Sequence, residues 1–159
     1  MTDMEMVKVG ARQKTALWNM LQKYLYEMTK YYDDAMAPDG NFPYRYFAAY
    51  FADEPGREAF FFRSGQKVVG FAMINTHSFN GAAVDHCLAE FTIFPAFRHQ
   101  GMASAAVKEL FSARPGKWQL KYSAENETGM RFWQKVLSPC HPQEEKLDGA
   151  ESLVSFVAG

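Results

Sequence analysis

The stretch Leu88-Ala89-Glu90-Phe91-Thr92-Ile93-Phe94-Pro95-Ala96-Phe97-Arg98-His99-Gln100-Gly101-Met102-Ala103 decides how the rest of the chain is read. Its first half is rich in apolar, aromatic and β-branched residues, as a buried strand is, and Pro95 ends it. A tight loop follows. From Gly101 the apolar positions Ala103, Val107, Leu110 and Phe111 recur at i, i+4, i+7 and i+8, which predicts a helix over 101–113. The first N–H groups of such a helix have no partner within it, and they face the loop together with the positive end of the helix dipole. That arrangement suits a pyrophosphate. Gly101 lets the backbone approach a phosphate closely, Ala103 keeps the next turn thin, and Arg98 and His99 are available to supplement the charge. Other phosphate-loop patterns, G-x-x-x-x-G-K-[ST] and G-x-G-x-x-G, do not occur.

Working outward, alternation of Val7 and Val9 suggests a short strand over 6–11. Leu17, Leu21, Tyr24, Leu25, Met28, Tyr31 and Tyr32 make one apolar stripe of a long helix, which the turn Pro38-Asp39-Gly40 closes off. Residues 44–51 read as a second short helix. Strands over 58–63 and 67–75 flank Ser64-Gly65-Gln66 as a hairpin, and a third over 84–94 pairs with the second across Asn80-Gly81. Pro115-Gly116 stops the helix that began at Gly101. A strand over 118–123 follows, then a helix over 126–137 with Met130, Trp133 and Leu137 on one side. Pro139 and Pro142 break the chain, and 153–157 reads as a closing strand. The order is β-α-α-β-β-β-α-β-α-β. Its β-α-β portion calls for one parallel pairing inside an otherwise antiparallel sheet.

A chain of 159 residues fits a single domain over 1–159, and 48% apolar against 22% charged residues is the balance of a packed core. The 16% aromatic content reads either as a Phe-rich core or as an aromatic-lined pocket. A net charge of −1 and the lack of any Lys/Arg cluster argue against nucleic-acid binding. No apolar run approaches the ~20 residues that span a bilayer, and no secretion signal is visible, so a cytoplasmic protein is expected. Cys87 and Cys140 read as free thiols. Their adjacency to His86 and His141 does not match zinc-ligand spacing, so no metal site is expected.

The segment Arg98-His99-Gln100-Gly101-Met102-Ala103 resembles the acetyl-CoA signature R/Q-x-x-G-x-G/A of the GNAT superfamily. Further on, Lys117–Ser123, Asn126 and Arg131–Val136 match the fifth strand, the helix-opening Asn and the last helix of that family. Glu90-Phe91-Thr92-Ile93, Pro115-Gly116-Lys117-Trp118 and Phe132-Trp133 are similar to a branch of predicted acetyltransferases. The motifs cover about Leu88 to Leu137; the part before them fits by element order alone. The resemblance implies an α/β (α+β) GNAT acyl-CoA N-acyltransferase fold, with a mixed sheet of about six to seven strands flanked by about four helices. It also implies acetyl-CoA as co-substrate, with pantetheine in a V-shaped gap between the fourth and fifth strands. Cofactor contacts would come from Thr92, Ile93, Phe94, Arg98, His99, Gln100, Gly101, Met102, Ala103, Ser104, Asn126 and Trp133.

The implied chemistry is direct attack of an amine on the thioester. An alkyl amine has a pKa near ~10, so about one molecule in a thousand is neutral at pH 7 and a base must take the proton. Glu90, the one carboxylate in the middle of the apolar strand, is the candidate base; Asp85, His86 and His77 are alternatives. The competing reading has Glu90 facing solvent or paired with a cation. Backbone N–H groups near Ile93 could stabilise the oxyanion. Many family members carry a Tyr acid where this chain has Trp133, which has no titratable proton. Tyr122 is a possible substitute, and no acid is assigned. The expected acceptor is a small-molecule primary amine, because Tyr24, Tyr31, Tyr32, Tyr44, Tyr46, Tyr50 and Asp33-Asp34 suit a cation. A protein or peptide acetyltransferase and a catalytically silent acyl-CoA-binding module are the alternatives. The sequence leaves room for a homodimer.

Overall fold

The computed structural model describes residues 3–52 and 55–159. They fall into two compact units, one made of the residues up to Lys8 with Gly56–Gly159, the other of Val9–Pro55. The first unit is built on strands β1 (Glu5–Lys8), β2 (Arg57–Ser64), β3 (Lys67–Asn75), β4 (His86–Ile93), β5 (Gly116–Ser123), β6 (Gln143–Lys146) and β7 (Glu151–Ala158). The helices are α1 (Lys14–Met28) in the second unit, and α2 (Met102–Ala113) and α3 (Glu127–Leu137) in the first.

The seven strands form one sheet in the order β1-β2-β3-β4-β5-β7-β6. The pairing of β4 with β5, across the α2 crossover, is parallel and the other neighbours run antiparallel. Period-2 alternation puts Phe60, Phe62, Ala72, Ile74, Leu88, Trp118, Leu120, Val154 and Phe156 on one face. Ala106 and Leu110 of α2 and Leu137 of α3 join them in a single apolar core. The edge strand β6, Gln-Glu-Glu-Lys, is exposed throughout. It has no apolar alternation, so nothing in its residues marks it as a strand.

Two local features shape the middle of the sheet. Met73 pairs with Glu90 and Ile74 with Leu88, so Ala89 is an extra residue in β4. This bulge reverses the facing of the strand. Leu88 and Phe91 both belong to the helix-covered core, while Glu90 and Thr92 share the other face with Met73 and Phe71, their partners in β3. Gly70 lies opposite Ile93, and a Cβ there would collide with the Thr92 carbonyl oxygen and come within 2.9 Å of Ile93 Cδ1. Glycine lets β3 press closely against the end of β4.

A charged cluster ties β1, β2 and the end of α2 together. Arg114 donates from Nε to Glu58 Oε1 at 2.8 Å and from Nη2 to Oε2 at 2.7 Å. Lys8 Nζ lies 3.3 Å from the same Oε2. The paired guanidinium, helped by Lys8, holds the Glu58 carboxyl down at about 2 against the opposing effect of burial.

In the second unit, Leu17 and Leu21 are the fully buried part of the α1 stripe. The helix stops at Met28, short of Tyr31 and Tyr32, because i→i+3 bonds and the Thr29 hydroxyl, donating to the Tyr26 carbonyl at 2.6 Å, tighten the chain there. The Gln22 side chain both donates to and accepts from the Phe42 backbone, at 2.9 and 2.6 Å. The second helix expected over 44–51 is instead a 3-10 segment, Phe47–Phe51, anchored by Phe47 edge-on to Trp18. Among the described residues the α-helices therefore number three rather than about four. Among the described residues no helix is long and apolar enough to cross a membrane, and no group of His, Cys, Asp or Glu is arranged to hold a metal ion.

Candidate active site

β4 and β5 are joined by two register pairs alone, His86↔Trp118 and Cys87↔Gln119. Beyond them the strands continue, one to Ile93 and the other to Ser123, without pairing. The result is a wedge, closed at Cys87 and Gln119 and open toward the ends of both strands. The polar groups that face it follow from the ladder on the other side of β4. The Phe94 N–H donates to the Val69 carbonyl at 2.8 Å, which makes Phe94 and Val69 a hydrogen-bonded pair. In an antiparallel ladder such pairs alternate. Ile93 and Phe91 therefore direct their N–H and C=O groups away from β3, into the wedge. Phe94 itself is committed to β3.

Past the end of β4 the chain turns through a short 3-10 segment, Pro95–Phe97, and two left-handed residues, His99 (φ 63°) and Gly101 (φ 79°). Histidine tolerates this region better than most side chains and glycine enters it freely. The turn aims the start of α2 back at the loop. Ala105 is the first residue to bond within the helix, donating to the Gly101 carbonyl at 3.1 Å. Among the described residues no acceptor meets the N–H groups of Met102, Ala103 and Ser104, and no side chain caps the helix. Three bare amides and the positive helix end are the donor set that a diphosphate needs.

Arg98 does something its sequence position did not indicate. Its Nε donates to the Ile93 carbonyl at 2.7 Å and its Nη2 reaches the Thr92 hydroxyl at 3.4 Å. The guanidinium clamps the loop to the last two residues of β4, and it takes up one of the wedge-facing carbonyls. The Gln100 side chain similarly reaches back to the Ala96 carbonyl at 3.4 Å.

α3 covers the open seam. Asn126 opens it, and its side-chain oxygen accepts from the Gly129 N–H at 3.0 Å, so that oxygen is occupied as a helix cap. Trp133 packs edge-on to Phe91 at 5.4 Å and to Phe132 at 5.0 Å, while Phe132 stacks on Phe91 at 6.3 Å. The aromatic pair of the last helix thus lies against the residue of β4 whose backbone faces the wedge.

Tyr122 is buried on β5, but its hydroxyl donates to Glu144 of β6. Because the order runs β4-β5-β7-β6, that bond points the hydroxyl away from the wedge. Burial and the Glu144 carboxylate push the phenol up to about 12. Lys146, 2.8 Å from Glu144, and Tyr122 in turn hold the Glu144 carboxyl below its ordinary value.

Of the carboxylates and imidazoles in this region, Glu90 is half-buried on the length of β4 that pairs with β3 but not with β5. The others lie at or beyond the closed end. Asp85 accepts from the Lys117 N–H at 2.8 Å, and His86 packs on Trp118 at 4.8 Å. His77 is in the preceding loop, where its carbonyl accepts from the Cys87 thiol at 3.1 Å. Burial pushes that thiol up to about 11, so Cys87 is an inert core residue. The aromatic and acidic residues of Val9–Pro55 are spread in exposure: Tyr50 is buried, Tyr24, Tyr31 and Tyr44 are half-buried, and Tyr32, Tyr46, Asp33 and Asp34 are exposed.

The model of the acetyltransferase (GNAT) family matches residues 16–137. The chain belongs to that family. No curated protein matches it. Solved structures share the GNAT fold at low identity. An acetyltransferase from Thermus thermophilus is 18% identical over 98% of this chain and 96% of its own, with a TM-score of 0.66. YncA from Salmonella typhimurium, solved with its cofactor acetyl-CoA, is 13% identical over 98% and 93%, at 0.64. Diaminobutyrate acetyltransferase EctA from Paenibacillus lautus, in complex with L-2,4-diaminobutyric acid and coenzyme A, is 16% identical over 99% and 96%, at 0.63. The seven-stranded mixed sheet of this GNAT chain, with its single parallel seam, agrees with the fold that its sequence motifs implied.

Proposed function

We propose that this GNAT chain is an N-acetyltransferase that moves the acetyl group of acetyl-CoA to a primary amine of a small molecule, with residues 1–159 acting as one catalytic domain. The observation that carries the reading is the wedge itself. Two strands part after two register pairs, and the Ile93 N–H and both backbone groups of Phe91 are left facing the opening, the Ile93 carbonyl being held by Arg98. Such groups need partners, and the two amides of a pantetheine arm supply them as an added strand would. The bare amides of Met102, Ala103 and Ser104 suit the pyrophosphate at the open end. The arm then runs back along β4, with its sulfur deepest.

Acetyl-CoA supplies an activated thioester. The chain supplies the rest. The Phe91 N–H, deeper in the wedge than that of Ile93, is the group proposed to donate to the thioester carbonyl oxygen as charge builds on it. Glu90, on the length of β4 that has parted from β5, is the group proposed to take the proton from the amine, directly or through water. Trp133 and Phe132 shield the seam from solvent. No protein acid is assigned to the departing thiolate, because Trp133 has no titratable proton and the Tyr122 hydroxyl is turned toward β6. A small cationic acceptor is favoured by the tyrosines and the Asp33-Asp34 pair of Val9–Pro55. One fold neighbour acts on diaminobutyrate, an acceptor of this kind.

The test is a thiol-release assay with acetyl-CoA against a panel of small amines and peptides. Turnover with at least one small amine is expected. Glu90→Gln should lower kcat by on the order of a hundredfold or more while the Kd for CoA stays within about twofold of wild type. Unchanged turnover in Glu90→Gln would remove Glu90 from the mechanism. Binding of CoA with no turnover on any amine would leave a binding module instead of an enzyme.

A further inference from the structure

We infer that the closed end of the wedge sets the length of acyl group this chain accepts, admitting acetyl and excluding chains of about six carbons, where each misfit methylene weighs about tenfold or more. The inference rests on the proposed placement of the thioester at the deep end. It uses the vertex, where every side is walled. The backbones meet at Cys87↔Gln119 and leave no gap in the plane of the sheet. On the helix-covered face the first unpaired residues are Leu88 and Leu120, 6% and 2% exposed, and both belong to the apolar core. On the opposite face stand Cys87 and Gln119, 0% and 1% exposed.

Gln119 is a rigid wall and not a movable side chain, because both ends of its amide are engaged. Its Nε2 donates to Asn80 Oδ1 at 2.8 Å, and its Oε1 accepts from the Phe79 N–H at 3.0 Å. The Cys87 thiol is fixed at the His77 carbonyl. An acyl chain long enough to reach the vertex must break these bonds or displace close-packed leucines, and cores yield little to added volume. Of the three surfaces, the leucines alone can be cut back without exposing a buried polar group.

The experiment measures Kd for CoA, acetyl-CoA and hexanoyl-CoA by calorimetry, with turnover of the two thioesters as a second reading. Wild type should bind hexanoyl-CoA at least about tenfold more weakly than acetyl-CoA. Leu88→Ala and the milder Leu120→Val should bring the two affinities together and leave the Kd for CoA itself unchanged. A cooperative melting transition in each variant shows that it is folded. Equal affinity of wild type for both thioesters overturns the inference and leaves the proposed function standing. So does an unaltered ratio in both folded variants. If neither CoA nor acetyl-CoA binds, the reading of the wedge fails, and the inference with it.

Discussion

Arg98 is the residue where structure and motif reading diverge most usefully. A guanidinium in a phosphate loop invites the idea that it neutralises phosphate. Here it instead bonds the Ile93 carbonyl at 2.7 Å and reaches the Thr92 hydroxyl at 3.4 Å. Hydrogen bonds to a charged group contribute about 1.5–3 kcal/mol. The Arg98 side chain is itself only half-buried, so truncation should fall near the lower end of that range. For a chain of this length about 1.5 kcal/mol corresponds to a drop in Tm of roughly 3–6 °C. Arg98→Ala should show that drop by thermal melting, and a weaker Kd for CoA because the loop before α2 is released. Arg98→Lys keeps the charge but lacks the planar fork with its Nε donor, so it should rescue neither quantity. Because the side chain acts by holding the loop, the ionic-strength dependence of CoA binding should match wild type in both variants. Full recovery in Arg98→Lys, or a clearly flatter salt dependence in Arg98→Ala, would refute the clamp and restore a direct phosphate contact.

Two further predictions concern the carboxylates Glu58 and Glu144. Glu58 is held at about 2, below the ordinary carboxyl value of 4.5, so it binds fewer protons folded than unfolded. Its contribution is complete above about 4.5 and is lost as pH falls toward 2. Glu58→Gln should lower Tm at pH 6 and flatten the decline of Tm between pH 5 and 2.5; an acid limb identical to wild type would show that the Arg114 pair contributes nothing. Tyr122→Phe removes the hydroxyl that donates to the Glu144 carboxylate, at a cost of about 1.5 kcal/mol and thus roughly 3–6 °C in Tm. Its kcat and its pH–rate profile should be unchanged, because the hydroxyl points away from the wedge. Loss of an alkaline limb in this variant would reinstate Tyr122 as an acid.

The residues themselves announced α2 and α3, the hairpin of β2 and β3, and the strand-loop-glycine unit from Leu88 to Ala103, because these depend on local periodicity and on the conformations open to glycine and proline. The same locality explains why Gly101 and the amides after it could be named in advance. Other features depend on what lies across the sheet. β6 is polar on both faces and becomes a strand because β7 offers it an edge. The 3-10 segment at Phe47–Phe51 follows from ring packing on Trp18 rather than from any helical period. The bulge at Ala89 arises from the register with β3, and it moves Glu90 to the face opposite Leu88. The parting of β4 and β5 after two pairs, the turn of Arg98 onto Ile93 and the pull of Tyr122 toward Glu144 join residues from separate elements or opposite sides of a turn. Hydrogen-bond partners of that kind are chosen by distance in the folded chain, and periodicity along the sequence holds no record of them.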